Sequence, residues 1–295
     1  MGQRNLELRS PLGRQQNDPR LKLWMEYLRL SPSYALARSV LRGDTTQEQA
    51  LQLVADIDDV VVRAARDFGD VWATNREEYW RQKAFELFGV QLADPDLKVV
   101  HVMQEGEEID MADLNAHVRE YAAHTRREMG NPLTVLVSVP IDMNRQHLMR
   151  LFGGMLTYFK ENRQDYLEAD IPEPRYKLAK SRIPLRNLEQ ILKVANTKAR
   201  NPNIKHWLLG TELKLNMTSS EVLTKEGVDR KVWSEASVVM NATVSRILKQ
   251  ALLVAENAAR GNFPSFDACP QAPNKLDYIY IGKKLGLISQ LDNLL

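Results

Sequence analysis

The sequence predicts a mainly α-helical protein with a small α/β centre and a basic, helix-turn-helix-like carboxyl-terminal module. Apolar residues recur at helical spacing through most of the 295 residues, and two short β-branched runs interrupt that pattern near the middle. Positive charge is concentrated after residue 175, although the whole chain carries a net charge of only +2. The composition, 44% hydrophobic and 26% charged, is that of a globular protein with room for two domains.

Composition also excludes several classes of protein. No apolar run approaches the roughly 18 residues that a membrane-spanning helix needs, and the polar amino terminus lacks the apolar core of a secretory signal. A single cysteine, Cys269, excludes an intrachain disulfide and a multi-cysteine metal site. We therefore expect a cytoplasmic protein that does not bind membranes.

The amino-terminal third predicts helices throughout. Asp18-Pro19 is a typical helix start, and the apolar periodicity that follows is interrupted at Ser31-Pro32. Thr45 or Thr46 can cap the next helix, and a third helical stretch covers residues 74–88. We therefore expect an all-helical amino-terminal domain.

The middle of the chain predicts a small α/β domain. Residues 98–103 (KVVHVM) and 133–139 (LTVLVSV) are typical of strands, and helical patterns follow them at 111–128 and 144–163. Residues 99–174 contain seven basic and 13 acidic residues, so this centre is net −6. The proline-rich sequence that ends it is typical of a linker into the next segment.

Charge changes sign after this linker. Residues 175–214 contain ten lysines and arginines against two glutamates, and residues 175–262 together are +9. The pattern predicts one helix from Pro184, a short helix from Lys205 to Leu213, and a long helix from Arg230 to Arg260 that Gly261 ends. The predicted segments are a flexible arm (1–20), a helical amino-terminal domain (21–93), an acidic α/β domain (94–171), a basic helix-turn-helix-like module (172–266) and a tail (267–295).

Charge of one sign on folded elements is typical of a surface that binds a polyanion, because lysine and arginine neutralise phosphates. Asn, Gln and Arg side chains on the long helix can also read base edges in a major groove. The sequence therefore predicts a homodimer that binds double-stranded DNA, with RNA polymerase or another regulator as a further partner. The predicted DNA-binding residues are Arg182, Arg186, Lys193, Lys198, Arg200, Lys205, His206, Arg230, Lys231, Asn241, Ser245, Arg246 and Lys249.

Two alternatives stay open at this level. The basic face could dock an acidic protein partner, which would make the chain an adaptor. Strand 133–139 could instead enter the groove as one half of a two-stranded ribbon in a dimer, with Thr134, Leu136 and Ser138 facing outward. Reversing the charges of Arg186, Lys193 and Arg200 distinguishes the two functions, because only a DNA-binding protein would lose DNA binding.

No motif predicts catalysis, a metal or a cofactor. Asp56, Asp58 and Asp59 splay around a helix instead of converging, so we expect them on a solvated face. The sequence contains no P-loop, GxGxxG or GxSxG, and its histidines lack a ligand spacing such as HExxH. We therefore expect a protein that is not an enzyme and that uses no metal or cofactor. The histidines are His101, His117, His124, His147 and His206.

Four stretches keep a characteristic order and spacing: LWMEYLRLSPSYALA (23–37), YWRQKAFELFGVQLADPDL (79–97), LRNLEQILKVANTKARNPNIKHWLLG (185–210) and VSRILKQALLVAENAARGNFPSF (244–266). Together they resemble a group of transcriptional-regulator-like DNA-binding proteins carried by proteobacterial plasmids and integrative conjugative elements. The resemblance implies a DNA-binding regulator of a mobile genetic element, with a helix-turn-helix-type carboxyl module.

The resemblance also assigns residues. It implies that Arg246 and Lys249 lie on the recognition helix, and that Lys205 and His206 belong to the short helix before it. Residues 248–250 are less basic than the group's pattern, and the tail, 267–295, lies outside the match.

Overall fold

The computed structural model describes residues 18–72, 75–90, 97–104, 106, 108, 110–129, 133–162, 165 and 174–288. The rest includes most of the predicted arm, the boundary at 93–94, most of the linker before residue 174 and the end of the tail, so those predictions lie outside the described residues. The fold is mainly helical, which confirms the fold class in its coarse form. The helices are α1 (Pro19–Leu28), α2 (Pro32–Arg42), α3 (Gln47–Leu53), α4 (Val62–Phe68), α5 (Arg76–Phe88), α6 (Met111–Glu120), α7 (Arg126–Glu128), α8 (Arg145–Glu161), α9 (Leu185–Arg200), α10 (His206–Glu212), α11 (Met217–Thr224), α12 (Arg230–Ala259) and α13 (Tyr278–Lys284), with π-helical segments at Ile57–Val61 and Tyr121–Thr125.

Polar side chains set the helix starts. The side-chain oxygens of Asp18, Ser31 and Thr46 accept hydrogen bonds from backbone N–H groups in the first turns of α1, α2 and α3. Asp229 does the same for α12, whose end is followed by Gly261 at a φ of 76°. The left-handed region favours glycine, so α12 stops where the sequence predicts.

The two strands predicted for the centre are wrong. Residues 98–103 and 133–139 form neither helix nor strand, and the part of the chain that the structure describes contains no β-strand at all. The apolar side chains of the second run are 38% to 55% exposed. A β-branched run favours extended backbone, but a strand also needs a neighbour with which to exchange hydrogen bonds, and no described segment is paired with this one.

The described residues divide into two compact units. The central unit lies within residues 84–175, and the helical unit combines residues 18–83 with 176–288. The amino-terminal helices and the basic module, which the sequence suggests as separate domains, thus belong to one unit. Their packing depends on aromatic side chains whose partners are far away in sequence.

Trp24 and Tyr27 on α1 join the two halves of the helical unit. Both are fully buried. The Trp24 indole N–H donates to the Ala258 carbonyl at 3.1 Å, and the Tyr27 hydroxyl donates to the Leu188 carbonyl at 2.7 Å. The Phe263 ring lies 5.1 Å from the Trp24 ring. These contacts hold α1 against α9 and the end of α12.

Helix α12 is the centre of the helical unit, and α1, α2, α9, α10 and α11 all pack against it. It is also the one described helix that has the length and apolar composition to cross a membrane. Most of its buried residues lie in its carboxyl-terminal half, against the surrounding helices, whereas Val232, Val238 and Val239 in its amino-terminal half are exposed.

A buried ionic network lies at the end of α12. The fully buried Glu256 carboxylate accepts hydrogen bonds from the Ser31 hydroxyl at 2.7 Å and from the Arg260 guanidinium at 2.8 Å, and the Ser33 hydroxyl donates to its second oxygen. Arg260 also binds both oxygens of Asp56, at 2.7 and 2.8 Å. The expectation of a solvated face is therefore wrong for Asp56, while the side chains of Asp58 and Asp59 lie outside the description.

Apart from the buried end of α5 and Val90, the described part of the central unit buries little apolar surface. Helices α6 and α8 contain no buried residue. Met129, 2% exposed, is the one buried apolar side chain described between residues 97 and 162. A segment of this kind lacks the core that normally fixes helices to one another.

Candidate nucleic-acid interface

Helix α9 divides its residues cleanly between core and solvent. Leu188, Ile191 and Ala195 are buried, whereas Arg186, Lys193 and Arg200 are exposed. A spacing of seven residues keeps these three cations on one face, each about 10.5 Å from the next along the helix axis. The sequence therefore identified the exposed face of this helix correctly.

Lys198 does not belong to that face. Its side chain is buried, and its ammonium group donates a hydrogen bond to the Ile204 carbonyl at 2.8 Å. Burial lowers the pKa of this amine below its ordinary value. The prediction that Lys198 contacts phosphate is wrong, because its ammonium is used to close the turn between α9 and α10.

His206 and Ser245, predicted separately from two different helices, lie together. The His206 Nδ1 atom is 3.0 Å from the Ser245 hydroxyl oxygen. Burial, with a smaller contribution from the charge of Lys198, lowers the pKa of the His206 imidazole below its ordinary value. At neutral pH this side chain is therefore a neutral hydrogen-bonding group that links the start of α10 to the middle of α12.

The middle of α12 presents a polar stripe beside this contact. Asn241, Ser245 and Lys249 are spaced four residues apart, which places them on one side of the helix. Ser245 and Lys249 are exposed, Asn241 is half-buried, and the neighbouring Arg246 is exposed. An amide, a hydroxyl and two cations in this arrangement can donate to phosphates and to base edges.

Packing between α10 and α12 positions this stripe, and sequence reasoning missed the residues responsible. The Gly210 backbone lies so close to α12 that a Cβ there would meet the Met240 side chain and come within 2.9 Å of Val244. The Trp207 and Trp233 rings meet edge to face at 5.2 Å and are half-buried. A glycine within a predicted apolar helix was the available signal.

The remaining predicted residues do not join this group. Arg230 and Lys231 are exposed at the start of α12, about 22 Å along the helix axis from Ser245. Arg182 is exposed in the irregular segment that precedes α9. The structure thus separates the predicted set into a group around His206 and cations that lie away from it.

The exposed cations of α9 and α12, and Lys205 immediately before α10, are not neutralised by neighbours. Within the described residues, none of them has an ion pair or side-chain hydrogen bond, whereas Arg20, Arg29, Arg42 and Arg260 of the same unit are paired with carboxylates. We call the exposed cations of α9, of the residue before α10 and of the middle of α12 the basic surface, which leaves out Arg230 and Lys231 at the start of α12. Its members are Arg186, Lys193, Arg200, Lys205, Arg246 and Lys249.

Comparison with known proteins identifies no relative. No family model matches the chain, and neither a curated protein nor a solved structure shows significant similarity to it. The interpretation of the basic surface therefore depends on its own chemistry.

Proposed function

We propose that the protein is a cytoplasmic, sequence-specific regulator of transcription that binds double-stranded DNA as a homodimer. On the resemblance described above, its targets would lie on a plasmid or integrative conjugative element, and RNA polymerase or a second regulator would be a further partner. The observation that carries the proposal is the row of Arg186, Lys193 and Arg200 on the exposed face of α9, with no described carboxylate bound to them.

The arrangement of α10, α11 and α12 supports the same proposal. Two short helices separated by a turn pack on a third, longer helix, which is the order of a helix-turn-helix-like module. The basic surface would supply affinity through phosphates, and the stripe of Asn241, Ser245 and Lys249 would contact bases. The direct contact between His206 and Ser245 fixes the start of α10 relative to the polar stripe on α12.

A DNA titration with a charge-reversal variant tests the proposal. The variant Arg186→Glu/Lys193→Glu/Arg200→Glu should bind duplex DNA much more weakly than the wild type. Its slope of log affinity against log salt should be smaller by about 3, if each side chain contacts one phosphate. Fluorescence anisotropy at about 50 mM and about 200 mM salt measures both quantities.

The matched control reverses three exposed cations elsewhere in the helical unit, Arg63, Arg66 and Arg81. It changes the net charge by the same amount, so it should keep the wild-type affinity and salt dependence if the α9 cations are the ones that contact DNA. A wild-type protein that binds no duplex at low salt would contradict the proposal. DNA binding that survives the α9 variant would indicate an adaptor whose basic face docks an acidic protein.

A second candidate uses a different element for the same class of function. Residues 133–139 expose their apolar side chains, and α8, which follows them, contains no buried residue. Pairing with the same segment of a second copy would turn this run into a two-stranded ribbon that covers exposed side chains of both copies. Leu136 and Ser138, both exposed, would then face the groove.

Substitution of the outward-facing positions distinguishes the two candidates. If a ribbon binds DNA, Leu136→Glu and Ser138→Glu should abolish binding, and the α9 charge reversal should leave it nearly unchanged. If the basic surface binds DNA, the opposite pattern is expected. Sedimentation of the same variants measures whether dimerisation is affected separately.

A further inference from the structure

Two histidines and one aspartate converge in the central unit, although the sequence shows no metal-ligand motif. His101 precedes α6, and Asp113 and His117 lie one turn apart on α6. The Asp113 Oδ2 atom is 3.6 Å from His101 Nδ1 and 3.4 Å from His117 Nδ1. The three side chains can offer ligand atoms that all lie within 4.8 Å of one another.

Direct hydrogen bonding does not account for these separations. Both exceed the length of about 2.7 to 3.2 Å at which an N–H group donates to oxygen. Zinc bonds to nitrogen and oxygen measure about 2.0 to 2.2 Å, and at a tetrahedral angle two such ligands lie roughly 3.3 to 3.5 Å apart. The separation of His101 Nδ1 from Asp113 Oδ2 is therefore close to that of two ligands of one small cation, and His117 offers a third ligand atom within 4.8 Å of both.

The chemistry of the ligands selects the class of ion. Two imidazoles and one carboxylate suit zinc and its neighbours in the first transition row, whereas magnesium and calcium prefer oxygen ligands alone. The His117 Nδ1 atom also lies 3.0 Å from the Asp113 backbone carbonyl. Coordination through Nε2 would preserve that hydrogen bond, which is the usual way in which a ligand histidine is held in place.

We propose that His101, Asp113 and His117 bind one divalent transition-metal ion of the zinc class. Three protein ligands leave one tetrahedral position for water or for a group from another molecule. The ion joins the irregular segment 97–104 to α6 in a part of the chain, residues 97–162, whose helices α6 and α8 contain no buried residue. Metal binding thus holds residues 97–104 against α6, where few buried apolar contacts do so.

Metal titration of the untagged, full-length protein tests the site independently of DNA binding. After dialysis against a chelator, the wild type should bind one cobalt ion per chain with visible absorption bands, and zinc should displace it. His101→Asn, Asp113→Asn and His117→Asn should each lose this stoichiometric binding. His124→Asn is the matched control, because His124 is an exposed histidine of the same unit that lies outside the cluster.

A structural readout accompanies the titration. Zinc should slow amide hydrogen exchange in residues 97–104 of the wild type, and this protection should be absent in the His101 and His117 variants. All three ligands are at least partly exposed, so the variants should keep the wild-type helical circular dichroism. A wild type without stoichiometric zinc or cobalt binding, or ligand variants that bind as well as the wild type, would overturn the assignment.

Discussion

The imidazole of His206 makes the helical unit sensitive to pH. Its pKa is lowered in the folded protein, so the unfolded chain takes up a proton first as the pH falls. Its contribution to stability is therefore complete above its ordinary pKa of about 6.5 and declines as the pH drops through the folded-state pKa.

His206→Gln should remove this part of the pH dependence while keeping a group that can bond to Ser245. We expect the melting temperature of the wild type to fall more than that of the variant between about pH 8 and about pH 5. Calorimetry at the two pH values measures the difference. His124→Gln, at an exposed site, is the control, and equal pH profiles for wild type and His206→Gln would contradict the assignment.

The buried carboxylate of Glu256 is the shared acceptor of a network that joins α2 to the end of α12. Glu256→Ala would leave the Arg260 guanidinium and the Ser31 hydroxyl without their shared partner in the interior. Arg260 keeps both bonds to Asp56, so the main loss is that of the buried hydroxyl groups, and a buried donor without an acceptor typically costs about 1 to 3 kcal/mol, which chemical denaturation should show. Glu235→Ala, an exposed glutamate of the same helix, should change the unfolding free energy little.

Some of these single-residue roles can be predicted from the sequence, and others depend on contacts between residues far apart in the chain. The exposure of Arg186, Lys193 and Arg200 could be predicted because helical period alone decides which face they occupy. Lys198 lies on the same helix, but its burial depends on the turn at Ile204. The bond between Asp56 and Arg260 spans 204 residues, and no local pattern indicates it.

Among the elements, helices were predictable and strands were not. The predicted ranges of the short helix at 205–213 and the long helix at 230–260 agree closely with α10 and α12, because capping residues and glycines mark helix ends locally. A strand depends on a partner, and the sequence of 133–139 does not contain one. The cluster of His101 with Asp113 and His117 was missed because only two of its three members share a helix.

A substitution at Gly210 tests the contact between α10 and α12. Gly210→Ala should force the two helices apart, since the new Cβ would overlap the Met240 side chain. Overpacking of this kind costs about 1 to 3 kcal/mol, and it should also weaken DNA binding by moving His206 relative to Ser245. Denaturation and DNA titration of the same variant measure both effects.

Gly154→Ala is the matched control for that substitution. Gly154 is also within a helix, but a Cβ there would meet nothing within 4 Å. Alanine should therefore stabilise α8 by up to about 1 kcal/mol through helix propensity alone. The interpretation of Gly210 would fail if both glycine variants changed stability in the same direction.

For the whole molecule, the division into units predicts which fragments fold. A fragment of residues 172–295 contains the basic surface but lacks Trp24 and Tyr27, so the buried faces of α9 and α12 would be exposed. We expect it to show no cooperative thermal transition by circular dichroism. Supplying residues 17–83 on the same or a separate chain should restore one, whereas a fragment that melts cooperatively alone would contradict the division.

The discontinuous helical unit also has a consequence for biosynthesis. Trp24 emerges from the ribosome 234 residues before the carbonyl that it binds, and Tyr27 emerges 161 residues before its own partner. At synthesis rates of roughly 5 to 20 residues per second, these aromatic faces wait on the order of 10 to 50 s for the rest of their core. The nascent chain therefore exposes these aromatic faces until the end of α12 has been synthesised, and the basic surface is complete only then.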